Sequence, residues 1–269
     1  MAALHQKLRL IVMNDQSPGN SDSADRLIAE GERILAAAKS APSLRLTGSV
    51  AVQLRCPRFG ELARRGREIG DIDFAGYKRE LKSVQQSLAG LGYIEDREIA
   101  VVSEGSRAIF EHPESHLHLD VFYDRLDFCH IIPLAGRLEA ERATLPLAEL
   151  ALGKLQIVKI NEKDLVDLMV LLLEHPLADS DEGAINVARI ARLCTEDWGL
   201  WRTATFNLEK LPRFAATFEG LGAAERQHLA SQIETLTKRL DSEPKPLAWR
   251  MRAKLGERVK WYRDVDEVR

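Results

Sequence analysis

The segment Asp71-Ile72-Asp73-Phe74-Ala75 alternates acidic and apolar side chains, and it constrains this chain more than any other stretch. Along a strand, residues two apart share a face, so Asp71 and Asp73 point one way while Ile72 and Phe74 point into a core. Two carboxylates on one face repel, and hard oxygen donors of this kind call for a cation such as Mg²⁺ between them. His116-Leu117-His118-Leu119-Asp120-Val121 repeats the alternation and turns Asp120 away from Leu119 and Val121. If the two strands are neighbours, Asp120 completes a three-carboxylate cradle. Three carboxylates and substrate phosphates are enough to hold two metals about 3.5–4 Å apart, the arrangement that serves phosphoryl transfer.

What precedes Asp71 adds a phosphate site. Leu27, Ile28, Ile34, Leu35 and Ala38 recur at helix spacing after the turn formers of residues 14–23, and Pro42 stops them. Leu44-Arg45-Leu46-Thr47 then alternates as a short strand ending at Gly48-Ser49, and Val50 to Leu54 opens a helix. A glycine at a strand end lets backbone approach a phosphate, and the N–H groups of the following turn, with the Ser49 hydroxyl, suit an anion. Taken alone, Gly-Ser is equally an ordinary strand-to-helix turn. Order separates the two readings: strand, Gly-Ser, helix, a strand with Asp-x-Asp, and a later strand with a third Asp.

Past Asp73, Leu81, Val84, Leu88 and Leu91 predict a helix. Four β-type runs follow, at Ile99–Val102, Ala108–Phe110, Leu117–Tyr123 and Phe128–Pro133. These pieces sum to an α+β fold with a short mixed sheet backed by helices. After Gly136 the period becomes helical throughout, as in Leu147, Leu150 and Leu155, then Leu165, Leu168 and Leu172. The expected organisation is an α/β part over residues 22–137 and a helical part over 138–269.

On these residues the chain resembles the polymerase-beta-type nucleotidyltransferase superfamily, whose pattern of Gly-Ser, Asp-x-Asp and a later Asp is met here by Gly48, Ser49, Asp71, Asp73 and Asp120. The resemblance covers roughly residues 25–135. It implies the nucleotidyltransferase fold, dependence on Mg²⁺ or Mn²⁺, and transfer of an NMP from an NTP to a hydroxyl acceptor. Asp71, Asp73 and Asp120 would be catalytic metal ligands, with Asp120 also orienting the acceptor. Against that pattern the interval from Ser49 to Asp71 is long, so the arginine-rich segment 55–70 reads as an inserted loop. A second stretch, Leu147 to Gln156 followed by Lys163-Asp164-Leu165-Val166-Asp167, is similar to nucleotidyltransferase-like abortive-infection toxins. By that likeness Lys154 contacts the triphosphate beside Gly48 and Ser49, Asp164 is a functional or structural acid, the acceptor is tRNA, a small molecule or a protein, and an antitoxin is a candidate partner. On its own spacing, Lys163-Asp164 and Asp167 equally cap and decorate a helix whose core face is Leu165, Leu168 and Leu172.

Composition limits the rest. Lys and Arg number 38 against 41 Asp and Glu, a net charge of −3, so any nucleic-acid contact must be a local patch. Cys56, Cys129 and Cys194 form neither a disulfide framework nor a Cys-x-x-Cys pair, and no apolar run is long enough to span a bilayer, which predicts a cytoplasmic protein without membrane contact. His112, His116 and His118 crowd Asp120 but lack a Cys to complete a zinc set. Five arginines at 55–67 read as a solvated face or as groups for a triphosphate. Near the C-terminus, Leu247, Met251, Leu255 and Val259 form a stripe expected to pack on the protein body among basic residues that could hold RNA. The rival to an enzyme is a catalytically inactive binding or regulatory protein of the same fold. A glycosyltransferase also uses Asp-x-Asp, but would need a larger nucleotide-binding domain upstream.

Overall fold

The computed structural model describes residues 19–65 and 69–265, so the apolar piece Leu8–Met13, most of the turn formers from Asn14, and Gly66 and Arg67 lie outside the described residues. The chain is α+β. Helix α1 (Gly19–Ala37) buries Leu27 and Ile34, and strand β1 (Arg45–Thr47) runs directly into α2 (Gly48–Arg55). A short helix α3 (Gly60–Arg64) precedes β2 (Asp71–Gly76), and α4 (Leu81–Gly90), β3 (Ile94–Glu95), α5 (Arg97–Val102), β4 (Arg107–Glu111) and β5 (His118–Tyr123) follow.

The five strands form one mixed sheet in the order β1-β2-β5-β4-β3. Only β2 and β5 are parallel, with Asp73 opposite Asp120 and Asp71 opposite His118, whereas β1 runs antiparallel with Thr47 opposite Asp73. Both acid-bearing strands therefore begin at the same end of the sheet, where β1 stops. Ile72, Phe74, Leu119 and Val121 are fully buried on the other face, which is what fixes the register: a slip by one residue would bury the acids. The outer edge of β1 is not left open, because Leu46 exchanges backbone hydrogen bonds with Ala143 and Leu145.

Beyond the sheet, β6 (Arg125–Asp127) and β7 (Ile131–Pro133) make a hairpin, followed by α6 (Leu147–Leu155), α7 (Glu162–Glu174), a two-residue pairing of β8 (Leu177–Ala178) with β9 (Ile185–Asn186), and α8 (Val187–Glu196), α9 (Trp198–Thr217), α10 (Ala223–Ser242) and α11 (Leu247–Leu255). The change from mixed to mainly helical structure falls where the sequence period changes. Buried side chains from both sides of it, such as Leu46, Val52, Ala148 and Leu168, belong to one apolar cluster.

Three expectations are corrected. Ile99–Val102 is helix, because the Asp96 side chain accepts hydrogen bonds from the N–H groups of Glu98 and Ile99 and starts a turn, leaving Val101 and Val102 exposed. The arginine-rich segment is partly helical, with Leu62 and Ala63 buried, and its arginines serve the fold: Arg64 bonds Gln53 and Asp25, Arg55 bonds Thr144, and Arg65 bonds the Glu219 carbonyl. The stripe on α11 faces outward, Leu247 being 64% and Met251 60% exposed. Instead Trp249 turns inward, donating to the Cys194 carbonyl and meeting Trp201 edge-on at 5.2 Å, while Arg252 lies over Trp198.

The helical part is keyed to the β6–β7 hairpin by one buried acid. Glu149 on α6 has no exposed surface and accepts from Arg137 at 2.7 and 2.8 Å and from Arg189 on α8 at 2.9 Å, while Arg189 also donates to the Pro133 carbonyl of β7. Removing one partner strands the other charges in the interior. Glu149→Gln is therefore expected to lose roughly 3–5 kcal/mol, read as a lower midpoint in urea unfolding with an unchanged slope.

Candidate active site

Gly48 is the geometric pivot of the site. It has φ +64, a left-handed conformation that glycine adopts without penalty, and a Cβ built there would stand 1.9 Å from Oδ2 of Asp73. The tight turn from β1 into α2 and the Asp73 carboxylate thus occupy adjoining space that only glycine leaves open. Asp73 sits beneath this bend, Asp71 lies two residues earlier on the same face and is exposed, and Asp120 comes alongside from β5. Among the described residues, no side chain donates a hydrogen bond to the carboxylate of Asp71 or Asp73. Burial, followed by the charges of Asp71 and Asp120, pushes the Asp73 carboxyl up to about 8, against the opposing pull of Lys154 and Arg107.

Asp120 is differently placed. Arg107 on β4 stands diagonally across from it, and its Nε lies 2.9 Å from both carboxylate oxygens while a terminal nitrogen also reaches Oδ2. Burial still holds the Asp120 carboxyl above its ordinary range, although Arg107 draws it down. Burial alone would lower the Arg107 pKa, but Asp120 more than offsets this and raises it.

Lys154 and Ser49 meet at a fourth acid. The Lys154 ammonium is 2.8 Å from Asp164 and 2.9 Å from Asp167, and the Ser49 hydroxyl donates to Asp167 at 2.8 Å. Asp167 has no exposed surface. Burial works to lower the Lys154 pKa, but Asp167 and Asp164 together raise it. The sequence reading of Ser49 as a phosphate donor is thus qualified: its hydroxyl is engaged with α7, and what is left for an anion on this turn is backbone. Asn161 caps α7 by accepting from the N–H of Asp164, which holds Asp164 against Lys154.

These groups open on a cleft of about 600 Å³ lined by Gly48, Asp71, Asp73, Asp120, Arg107 and Lys154. A second hollow, of about 850 Å³, leads from Asp71, Arg107 and Asp120 along β4 and β5 past Glu95, Asp96 and Glu111. The two spaces meet at Asp71, Arg107 and Asp120. All three predicted acids, Gly48 and Lys154 therefore border one cleft. His116 does not join them: with φ +55 it precedes β5 and its Nδ1 lies 2.9 Å from Glu111. Among the described residues no group of three His, Cys, Asp or Glu side chains is placed to hold a metal ion.

Sequence reasoning missed Arg107 and undervalued Asp167. Asp167 interrupts the apolar run Leu165–Leu173, and an acid among buried leucines must have a partner. Arg107 begins the alternating run Arg107-Ala108-Ile109-Phe110, but only the pairing of Ile109 with Asp120 puts it on the acid face. No protein-family model, curated protein or solved structure matches the chain.

Proposed function

We propose that this protein is a metal-dependent nucleotidyltransferase that moves an NMP from an NTP to a hydroxyl acceptor. The observation that carries the proposal is the Asp73 carboxylate: half-buried, without a hydrogen-bond donor among the described residues, held against Gly48, and crowded by Asp71 and Asp120. An acid raised to about 8 by burial and then by the charges of Asp71 and Asp120 is a group that a divalent cation would relieve.

The donor set fits Mg²⁺ or Mn²⁺, being hard carboxylate oxygen with a surplus of negative charge. Asp71 and Asp73 would hold the ion. Bound there, it would supply Lewis-acid polarisation and a tether for the triphosphate. Gly48 and Lys154 border the same cleft, where the backbone of the Gly48 turn would face the triphosphate and the Lys154 ammonium is held by Asp164 and Asp167. In the transfer, the acceptor oxygen bonds to the α-phosphorus as the bond from that phosphorus to the oxygen bridging the β-phosphate breaks, pyrophosphate departs with the bonding electron pair, and the hydroxyl proton passes to solvent water. Asp120, where the cleft and the hollow meet, is placed to orient that acceptor. Candidate acceptors are tRNA, a small hydroxylated molecule or a protein side chain. Among the described residues no helix is long and apolar enough to cross a membrane.

The test is incubation of the purified chain with each labelled NTP, Mg²⁺ or Mn²⁺, and each acceptor class. Metal-dependent label transfer that falls to background in folded Asp73→Ala supports the proposal. Folded wild type that neither transfers nor binds nucleotide overturns it. Binding of nucleotide and metal without turnover favours the inactive binding module instead, the reading that the Arg107–Asp120 pair would suit.

A further inference from the structure

We infer that Arg107 takes the place of a second cation, so that the site holds one divalent ion, on Asp71 and Asp73, where three free carboxylates would hold two. The inference rests on the metal-dependent reading above and adds its stoichiometry.

Three features of Arg107 carry it. The first is position: Ile109 pairs with Asp120, so Arg107, two residues earlier on β4, projects from the acid-bearing face beside it. The second is how completely it engages the acid. Nε stands 2.9 Å from Oδ1 and 2.9 Å from Oδ2, and a terminal nitrogen also bonds Oδ2, so both oxygens that would face a metal already accept from a cation. The third is confinement. The Arg107 side chain is 27% and the Asp120 side chain 13% exposed, and the guanidinium carbon lies 5.4 Å from the centre of the Phe122 ring. A guanidinium remains charged at every working pH and does not exchange with solvent ions.

Charge balance points the same way. Asp120 is neutralised by Arg107, and Lys154 is occupied by Asp164 and Asp167. Among the described residues Asp71 and Asp73 take part in no ion pair, and these two carboxylates together match a single divalent cation. Asp120 is thereby a positioned counter-charge at the acceptor side, and Arg107 a positioning residue that fixes it.

The experiment counts Mn²⁺ bound per chain by the loss of the free-ion electron paramagnetic resonance signal, with a saturating non-hydrolysable NTP analogue, after subtracting analogue-only controls. The wild type is expected to bind one ion per chain and Arg107→Gln two, with the second lost again in Arg107→Gln/Asp120→Asn. Asp120→Asn alone is expected to leave the wild-type count at one, which keeps the inference testable if Arg107→Gln does not fold. Two ions in the wild type, one ion in folded Arg107→Gln, or loss of the ion in Asp120→Asn would overturn the inference while leaving the metal-dependent reading intact. No bound ion in any variant would remove that reading itself.

Discussion

In metal-free buffer at pH 8, Asp73→Asn is expected to melt above the wild type, and in the presence of Mg²⁺ to lose all the nucleotidyl transfer that the wild type shows. The native Asp73 carboxyl holds its proton up to about 8, because burial and then Asp71 and Asp120 disfavour its charge. In the unfolded chain it ionises near the ordinary value of about 3.9. Between these limits the native state binds the extra proton, so wild-type stability falls as pH rises through the window. Asparagine has no proton to lose. The variant's advantage should therefore be roughly 2–4 kcal/mol at pH 8 and close as pH approaches 4, measured as melting temperature against pH. An Asp73→Asn protein that melts below the wild type at pH 8 would show that the carboxylate is stabilised by contacts this account lacks. The combination of gained stability and lost activity is the usual mark of an acid retained for chemistry rather than for folding.

Gly48→Ala should instead lose stability and ion binding together. A β-carbon at φ +64 costs about 1 kcal/mol for the backbone alone. It would also stand 1.9 Å from the Asp73 oxygen and 2.8 Å from its carboxyl carbon, so the acid must leave its place or the turn must open. Together these predict a loss of roughly 2–4 kcal/mol and failure to bind a divalent ion. The coupling is specific: in an Asp73→Ala background, Gly48→Ala should be less damaging by about 1–2 kcal/mol, because the oxygen it collides with is gone. A double-mutant cycle in urea reads this directly, and strict additivity would mean that the two residues do not share the space.

The acid-bearing strands were legible because their signal is local. Alternation between carboxylate and apolar side chains sets which face of β2 and β5 is buried, and Ile72, Phe74, Leu119 and Val121 obey it. The α1 helix was legible for the same reason, through the spacing of Leu27 and Ile34 and of Ala38 just past its end. Failures came where a single side chain outweighed the pattern. Asp96 capped a β-branched run into helix, and the indole of Trp249 took the inward place that the Leu247–Met251–Leu255 stripe was expected to fill. The fine structure of the site depends on partners distant in sequence. Ser49 and Lys154 converge on Asp167, and Arg107 reaches Asp120 only through the pairing of β4 with β5. Neither spacing nor composition carries such pairings, which arise from tertiary contact.

The central claim is that Asp71 and Asp73 form an uncompensated pair built for a divalent cation. It is tested most directly by thermal melting of the wild type and of Asp71→Asn/Asp73→Asn at pH 8, with and without Mg²⁺. Mg²⁺ is expected to raise the melting temperature of the wild type by several degrees, through binding to the native state alone, and to leave the double variant unmoved. An equal shift in both proteins, or none in the wild type, would contradict it.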